Sequence, residues 1–511
     1  MKKLQINKLK RSLSKDILAS FVVFLVALPL SMGIALASGV PPSRGLVTGI
    51  IGGIVVGAIS GSPLQVSGPA AGLAVIVAEL VQNNGIEMLG PVILLAGLIQ
   101  LLAGIFKFGK IFRAISPAVI YGMLAGIGVL IFASQFHVML KEKPRATGIE
   151  NLISIPISIY HTFFDYDNIS HLMAAFIGVT TLIVLLLWDK FKPQKLKLLP
   201  GALISVVVAS AIANLFQLSI PYVNVSSITE AIQIPTFGNL IRLLNLQILI
   251  SAIAIAFIAS AESLLSAAAV DRLHQGAKTD FDVELAAQGL GNIVCGVLGV
   301  LPMTGVIVRS SVNVKAGAKT RLSAVLHGVW ILVLVVTAPG LLKMIPMSSL
   351  AGILVVTGYK LVEVENIRKL KQYGRMPVVI FFVTFIGIVA ADLLTGVVIG
   401  IVLTTMTLVY KISYLNLRLD RDEKNRQIHI YIEGNATFIR LPKLASVLEQ
   451  MPAGTELYVH LDKLVYIDHS CLDWLSMWRE QQEQRGNKVV MHWEQLENRF
   501  RRPFQSQNNN L

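Results

Sequence analysis

Two ionisable side chains stand where an apolar chain tolerates them poorly. Glu262 is the one ionisable group in "AIAIAFIASAESLLSAAAV", and Arg309 sits inside the short run "MTGVIVRSSVNV". A charge within a membrane span costs a few kcal/mol or more, so its default reading is functional. A lone carboxyl there can carry a proton, and a guanidinium can hold negative charge. Ser266, one turn after Glu262 on the same helix face, can hydrogen-bond a substrate or the carboxyl. The bland alternatives are a structural Glu262–Arg309 ion pair, or an Arg309 that reaches the interface near Lys315.

These residues need elements to position them, and one stretch looks built for that. "ISGSPLQVSGPAAGLAVI", Ile59 to Ile76, is apolar enough to enter a bilayer, yet Pro63, Gly68, Pro69 and Gly72 should break any helix across it. Its first five residues end the segment "GGIVVGAISGSP" (Gly52–Pro63), which is echoed by "GNIVCGVLGVLP" at Gly291–Pro302, ahead of the Arg309 run. Under the span count below, the two copies lie seven spans apart. An odd offset makes them antiparallel, an inverted repeat. Paired broken helices at matching positions of two halves mark a substrate site at the membrane midplane. Their free N–H groups and positive dipole ends form an anion site. Gly68, Ala70, Ala71 and Gly72 would expose backbone there, Ser67 could donate a hydroxyl, and Arg309 would supply the fixed charge.

The frame is a polytopic membrane chain. Of 511 residues, 54% are hydrophobic and 14% charged, against roughly a quarter charged in soluble domains. Fourteen spans are expected, near 16–37, 44–61, 67–82, 88–106, 113–133, 169–188, 198–217, 247–269, 282–301, 304–316, 320–340, 346–361, 375–391 and 393–412. The basic N-terminus, 1–15, and the Lys/Arg clusters at 107–113, 190–197, 315–321 and 368–375 all fall on one side, which places both termini in the cytoplasm. Topology thus accounts for the net charge of +14, and no nucleic-acid partner is implied. No cleavable signal is expected at the N-terminus. Cys295 and Cys471 are too few for a metal site, and no cofactor is called for.

The transmembrane domain is expected over 16–415, with repeat one at 16–217 and repeat two at 247–412. Composition changes after Lys411. Alternating "RQIHIYIEG", helical "LPKLASVLEQM", then "TELYVHL", "SCLDWLSMWREQQEQRG", "NKVVMHW" and "EQLENRFRR" predict a small α/β domain over 424–505, with a disordered tail at 506–511. No catalytic cluster or phosphate loop marks it as an enzyme.

The residues now in view resemble those of the sulfate permease (SulP) family of inorganic anion transporters, nearly end to end. "PPSRGLVTGIIGG", "VSGPAAG", "AESLLSA" and "NVKAGAKTRLSAVLHG" carry the resemblance, and the C-terminal region is similar to a STAS domain. It implies a seven-plus-seven inverted fold, core and gate bundles with elevator-like movement, a homodimer in the bacterial inner membrane, and a possible cytoplasmic partner for the STAS-like domain. By position, the backbone of Gly68, Pro69, Ala70 and Ala71 and of Val306, Ile307, Val308 and Arg309 would hold the anion. Glu262 would couple transport to protons; with Ser266 four residues on, rather than Asp followed by Thr, sodium is disfavoured. Leu30 and Ile34 stand where relatives have Gln and Tyr, and Val306–Val308 where several place serines. These departures leave the substrate open among sulfate, bicarbonate, chloride and a small carboxylate; sulfate is the first expectation by the family's name rather than by these residues, with sodium coupling or exchange as variants, and a passive anion channel as the rival from another class. Ser470, in "YIDHSCL", matches by position a phosphorylatable serine of related regulators, but Asp468 capping the following helix, without phosphorylation, is the preferred reading of the motif.

Overall fold

The structure is a computed structural model that describes residues 2–112, 116–145, 147–164, 169–196, 199–224, 228–422 and 426–491. The expected last helix "EQLENRFRR" and the tail 506–511 lie outside the described residues. Two compact units divide the chain, the boundary after Ile401 falling within the last helix of the first, Leu393–Ile412.

The first unit is helical. Its helices are α1 (Lys2–Ala37), α2 (Pro42–Ile51), α3 (Ala71–Asn84), α4 (Leu89–Ile105), α5 (Pro117–Met139), α6 (Gly148–Phe164), α7 (Ile169–Phe191) and α8 (Gly201–Leu215). Then come α9 (Leu246–Leu273), α10 (Phe281–Leu298), α11 (Ile307–Lys315), α12 (Leu322–Thr337), α13 (Met347–Leu361), α14 (Arg375–Ala390) and α15 (Leu393–Ile412). Among the described residues nine helical stretches are long and apolar enough to cross a membrane, and three shorter apolar helices accompany them. With the half-helices α3 and α11 they account for the fourteen expected spans. α2 opens on Pro42, a residue suited to a first helical turn, and continues through a π turn at Gly52–Val56 to Ile59.

Spans three and ten were expected as short helices over 67–82 and 304–316. Each instead begins as a strand, β1 (Ser67–Pro69) and β2 (Met303–Gly305), before its helix. The loop expected at 134–168 contains α6. Its apolar side, Ile153, Ile157, Tyr160 and Phe164, is exposed. Its polar side is buried on His137, whose Nδ1 lies 2.8 Å from Ser158 Oγ. The helix is thus amphipathic with its polar side turned to the protein and its apolar side outward, the orientation suited to a face that meets lipid.

Two bundles result. α4 packs along α10 and against α9, and α1 lies on α2 and α12; α5 packs on α13 and α14, and α7 on α8 and α13. Small residues permit the α4–α10 approach: a Cβ added at Gly289 would stand 2.3 Å from the Leu101 amide nitrogen. A cavity of about 330 Å³ opens on the seam between the bundles, lined by Glu79 of α3, Ser251 of α9 and Asp392 before α15.

The second unit holds β3 (Leu415–Asp422), β4 (Gln427–Ala436), α16 (Leu441–Leu448), β5 (Glu456–His460), β6 (Leu464–Ile467), α17 (His469–Gln484) and β7 (Lys488–Val490). The sheet runs β3-β4-β5-β7, with β6 also beside β4; only β3–β4 is antiparallel. β3 precedes the boundary expected at 424. Its alternation is masked by the charged "RLDRD", because one face of an edge strand meets solvent. Ile428, Ile430, Leu457, Leu475 and Trp478 fill the core. Trp478 is 2% exposed, and its Nε1 donates to Leu448 O at 2.9 Å. Trp478→Ala should cost about 3–5 kcal/mol; limited proteolysis of the full-length protein should then cut this unit first and leave the helical unit intact.

Candidate functional site

The two broken spans meet. β1 and β2 pair antiparallel, with Ser67 opposite Gly305, Gly68 opposite Thr304 and Pro69 opposite Met303. α3 and α11 therefore leave the crossing in opposite directions, each with its N-terminus at it. Neither has a side-chain cap: the N-cap residues are Ala70 and Val306, both extended. The first amides of each helix lack intrahelical acceptors by geometry, and the dipoles add positive potential at one point.

Unwound backbone in an apolar interior must be hydrogen-bonded, and polar side chains from neighbouring helices do this. Asn292 of α10 receives the Met303 amide on Oδ1 at 2.8 Å and donates to Met303 O at 3.0 Å. Ser263 of α9 accepts from Gly305 N, and Ser310 accepts from Val66 N. Asn313 donates to Leu64 O. On α10, Gln288 donates to Ser67 Oγ at 2.7 Å and to Glu284 Oε1 at 2.8 Å. None of these supports was singled out in the sequence. The signal was there: Glu284, Gln288 and Asn292 recur every four residues, one polar stripe on an otherwise apolar helix.

Arg309 is 0% exposed, so it does not reach the interface. Its Nη2 donates to Ser31 Oγ of α1 at 3.1 Å, whereas Nε and Nη1 have no partner. Nη1 lies over Gly68, where an added Cβ would be only 2.2 Å away. No Glu262–Arg309 ion pair forms among the described residues. Glu262 instead rests beside the first turn of α3: a Cβ at Gly72 would meet its Oε2 at 2.8 Å. That oxygen and the neighbouring Thr304 Oγ1 both lack partners.

Gly68, Pro69 and Ala70 are buried at the crossing and Ala71 is half-buried. Val306 is half-buried, and Ile307 and Val308 are exposed. Ser67 is at the crossing, turned to Gln288. Ser266 is buried on α9 one turn beyond Glu262. Ser470 lies far along the chain in the second unit, half-buried in the first turn of α17, where Asp468 Oδ1 accepts from Cys471 N at 2.9 Å.

Gly68→Ala should push the guanidinium from its place. The loss of one charge-assisted hydrogen bond, about 1.5–3 kcal/mol, predicts roughly 10–100-fold weaker anion binding. Calorimetric titration of the purified variant with sulfate checks this; unchanged affinity would separate Gly68 from the site.

The profile of the Sulfate permease family matches residues 13–384. The chain is 30% identical over 481 residues to YvdB of Bacillus subtilis (strain 168), whose name assigns it provisionally to sulfate transport, covering 89% of this chain and 87% of that one. It is 25% identical over 440 residues to the bicarbonate transporter BicA of Synechocystis, 83% of this chain and 75% of the other. Among solved structures, SLC26A9 is similar with a TM-score of 0.76 at 16% identity, over 94% of this chain and 84% of that chain. The transmembrane domain of a cyanobacterial BicA matches with a TM-score of 0.61 at 23% identity, over 77% and 97%.

Proposed function

The chain belongs to the sulfate permease family, and from that premise we propose that it is a secondary active carrier of a small inorganic anion, sulfate first, moved with a proton across a bacterial cytoplasmic membrane. It is a multi-pass anion transporter and not an enzyme. The observation that carries the finer reading is the crossing itself: two uncapped helix N-termini at one point, beside a buried Arg309 with unpartnered nitrogens. Backbone amides and one guanidinium favour a compact anion over a neutral nucleobase, and they recognise sulfate and bicarbonate alike.

The anion sits between the first turns of α3 and α11, held by the backbone at Gly68–Ala71 and Val306–Arg309. The bundle bearing α3, α9, α10 and α11 moves past the bundle of α5, α7, α13 and α14 in an elevator-like step, and the cavity at Glu79 and Asp392 supports a mobile seam there. Glu262 carries the proton. Both termini face the cytoplasm, the molecule is a homodimer, and the C-terminal STAS-like unit meets a soluble partner. Bicarbonate is the second reading, favoured by the absence of side-chain hydroxyls at Val306–Val308.

Radiolabelled sulfate and bicarbonate uptake into proteoliposomes tests the proposal. Accumulation of sulfate above equilibrium under an imposed inward proton gradient is expected. Uptake that only equilibrates would identify a channel, and uptake driven by sodium alone would replace the proton.

A further inference from the structure

We propose that Ser31 of α1 is a positioning residue of the anion site: its hydroxyl holds the Arg309 guanidinium over Gly68 and leaves the remaining donor nitrogens free for the anion. The inference rests on the anion-carrier reading above and deepens it by naming the group that fixes where the site's positive charge stands.

Placement carries the argument. In "PLSMGIA" of span one, Ser31 alone carries a hydroxyl, between the apolar Leu30 and Ile34. Ser31 and Arg309 are both fully buried, and Ser31 Oγ accepts from Arg309 Nη2 at 3.1 Å. That is the one hydrogen bond the guanidinium makes among the described residues; Nε and Nη1 have none. Two glycines of α2 seat the hydroxyl. Gly45 and Gly49 stand four residues apart in "PPSRGLVTG". A Cβ at Gly45 would run into Ser31 O, and one at Gly49 would lie 3.3 Å from Ser31 Oγ. Small residues at this spacing let two membrane helices approach closely. Ser31 is therefore seated between α2 and the guanidinium, and part of the segment that carries the family resemblance acquires a role at the anion site.

The chemistry of the partner matters as much as its place. A carboxylate beside Arg309 would neutralise the guanidinium and compete with the anion for its donors. A hydroxyl accepts one hydrogen bond and carries no charge, so it orients the guanidinium while leaving the positive charge intact. A long side chain that its ligand must order draws on binding free energy to do so. With Nη2 already held by Ser31, that ordering is in place before the anion arrives. Packing alone does not explain the residue, because a side chain that only fills space beside Gly49 needs no acceptor.

The test is calorimetric titration of sulfate and chloride into the detergent-purified full-length protein, alongside thermal melts, for Ser31→Ala, Ser31→Cys and the double variant Ser31→Ala with Arg309→Ala. Ser31→Ala should raise the sulfate dissociation constant about tenfold, the low end for a hydrogen bond to a charged group, and that for chloride by less. Ser31→Cys keeps nearly the same volume but accepts weakly, and it should weaken sulfate binding too. The Ser31→Ala melt should fall, because a buried charge loses its partner, and should rise again when Arg309 is also replaced. Sulfate bound by Ser31→Ala as tightly as by wild type, or more tightly, would overturn the proposal. So would equal losses for the two anions, a Ser31→Cys protein that binds like wild type, or a double variant that melts no higher than Ser31→Ala. Should Ser31→Ala not fold, the double variant decides: a recovered fold supports the proposal and persistent failure overturns it. Wild type binding none of sulfate, bicarbonate and chloride would instead sink the anion-carrier reading itself.

Discussion

Replacing Arg309 by alanine should raise the dissociation constant for sulfate about a hundredfold while leaving the protein folded. The guanidinium is fully buried with one hydrogen bond, to Ser31, and two unpartnered nitrogens. An unpaired buried charge destabilises the state that contains it, so its removal should not lower the melting temperature. What it takes away are two charge-assisted hydrogen bonds that form only with a ligand. At about 1.5 kcal/mol each, the lower end of their range, they amount to about two decades of affinity. The loss should be larger for sulfate than for chloride, because Coulomb attraction scales with ligand charge. Titration calorimetry with both anions, alongside thermal melts, reads all three quantities. Equal losses for the two anions would remove the charge role; a collapsed melt would make Arg309 a structural residue.

Glu262→Gln should abolish sulfate accumulation driven by an imposed proton gradient, yet leave sulfate–sulfate exchange within about twofold of wild type. Glutamine keeps the size of the side chain beside Gly72 and has no proton to load. Counterflow and gradient-driven uptake in the same proteoliposomes separate the two activities. Gradient-driven uptake equal to wild type would take Glu262 out of the coupling mechanism. Loss of both activities would mean that the ionised carboxylate holds the site together, contrary to its unpartnered oxygen.

Much of this architecture is legible in one dimension because it rests on local physics. Apolar runs of membrane length, Lys/Arg bias and the switch to alternating periodicity after Lys411 each reflect the solvent a segment meets. The broken span was legible for the same reason: Pro63, Gly68 and Pro69 prevent a helix whatever surrounds them. The echo at Gly291–Pro302 then indicated where its partner lay. Helix α6 was missed although its residues are amphipathic at helical spacing; Pro156 within it is a sequence signal against a continuous helix. Strand β3 was hidden because an edge strand can be charged.

The chain by itself therefore determined that it spans a membrane, that two interrupted segments oppose each other, and that Glu262 and Arg309 are its intramembrane ionisable groups of interest. Only the folded molecule decided that these two do not pair. Arg309 is held over Gly68 and Glu262 over Gly72, on contacts between α9, α11 and the crossing strands that no sequence spacing encodes. The supports Ser263, Gln288, Asn292 and Asn313 likewise acquire meaning only when distant helices bring them to an unwound backbone. A buried hydrogen bond is a property of two groups meeting, and meeting is what the tertiary fold supplies.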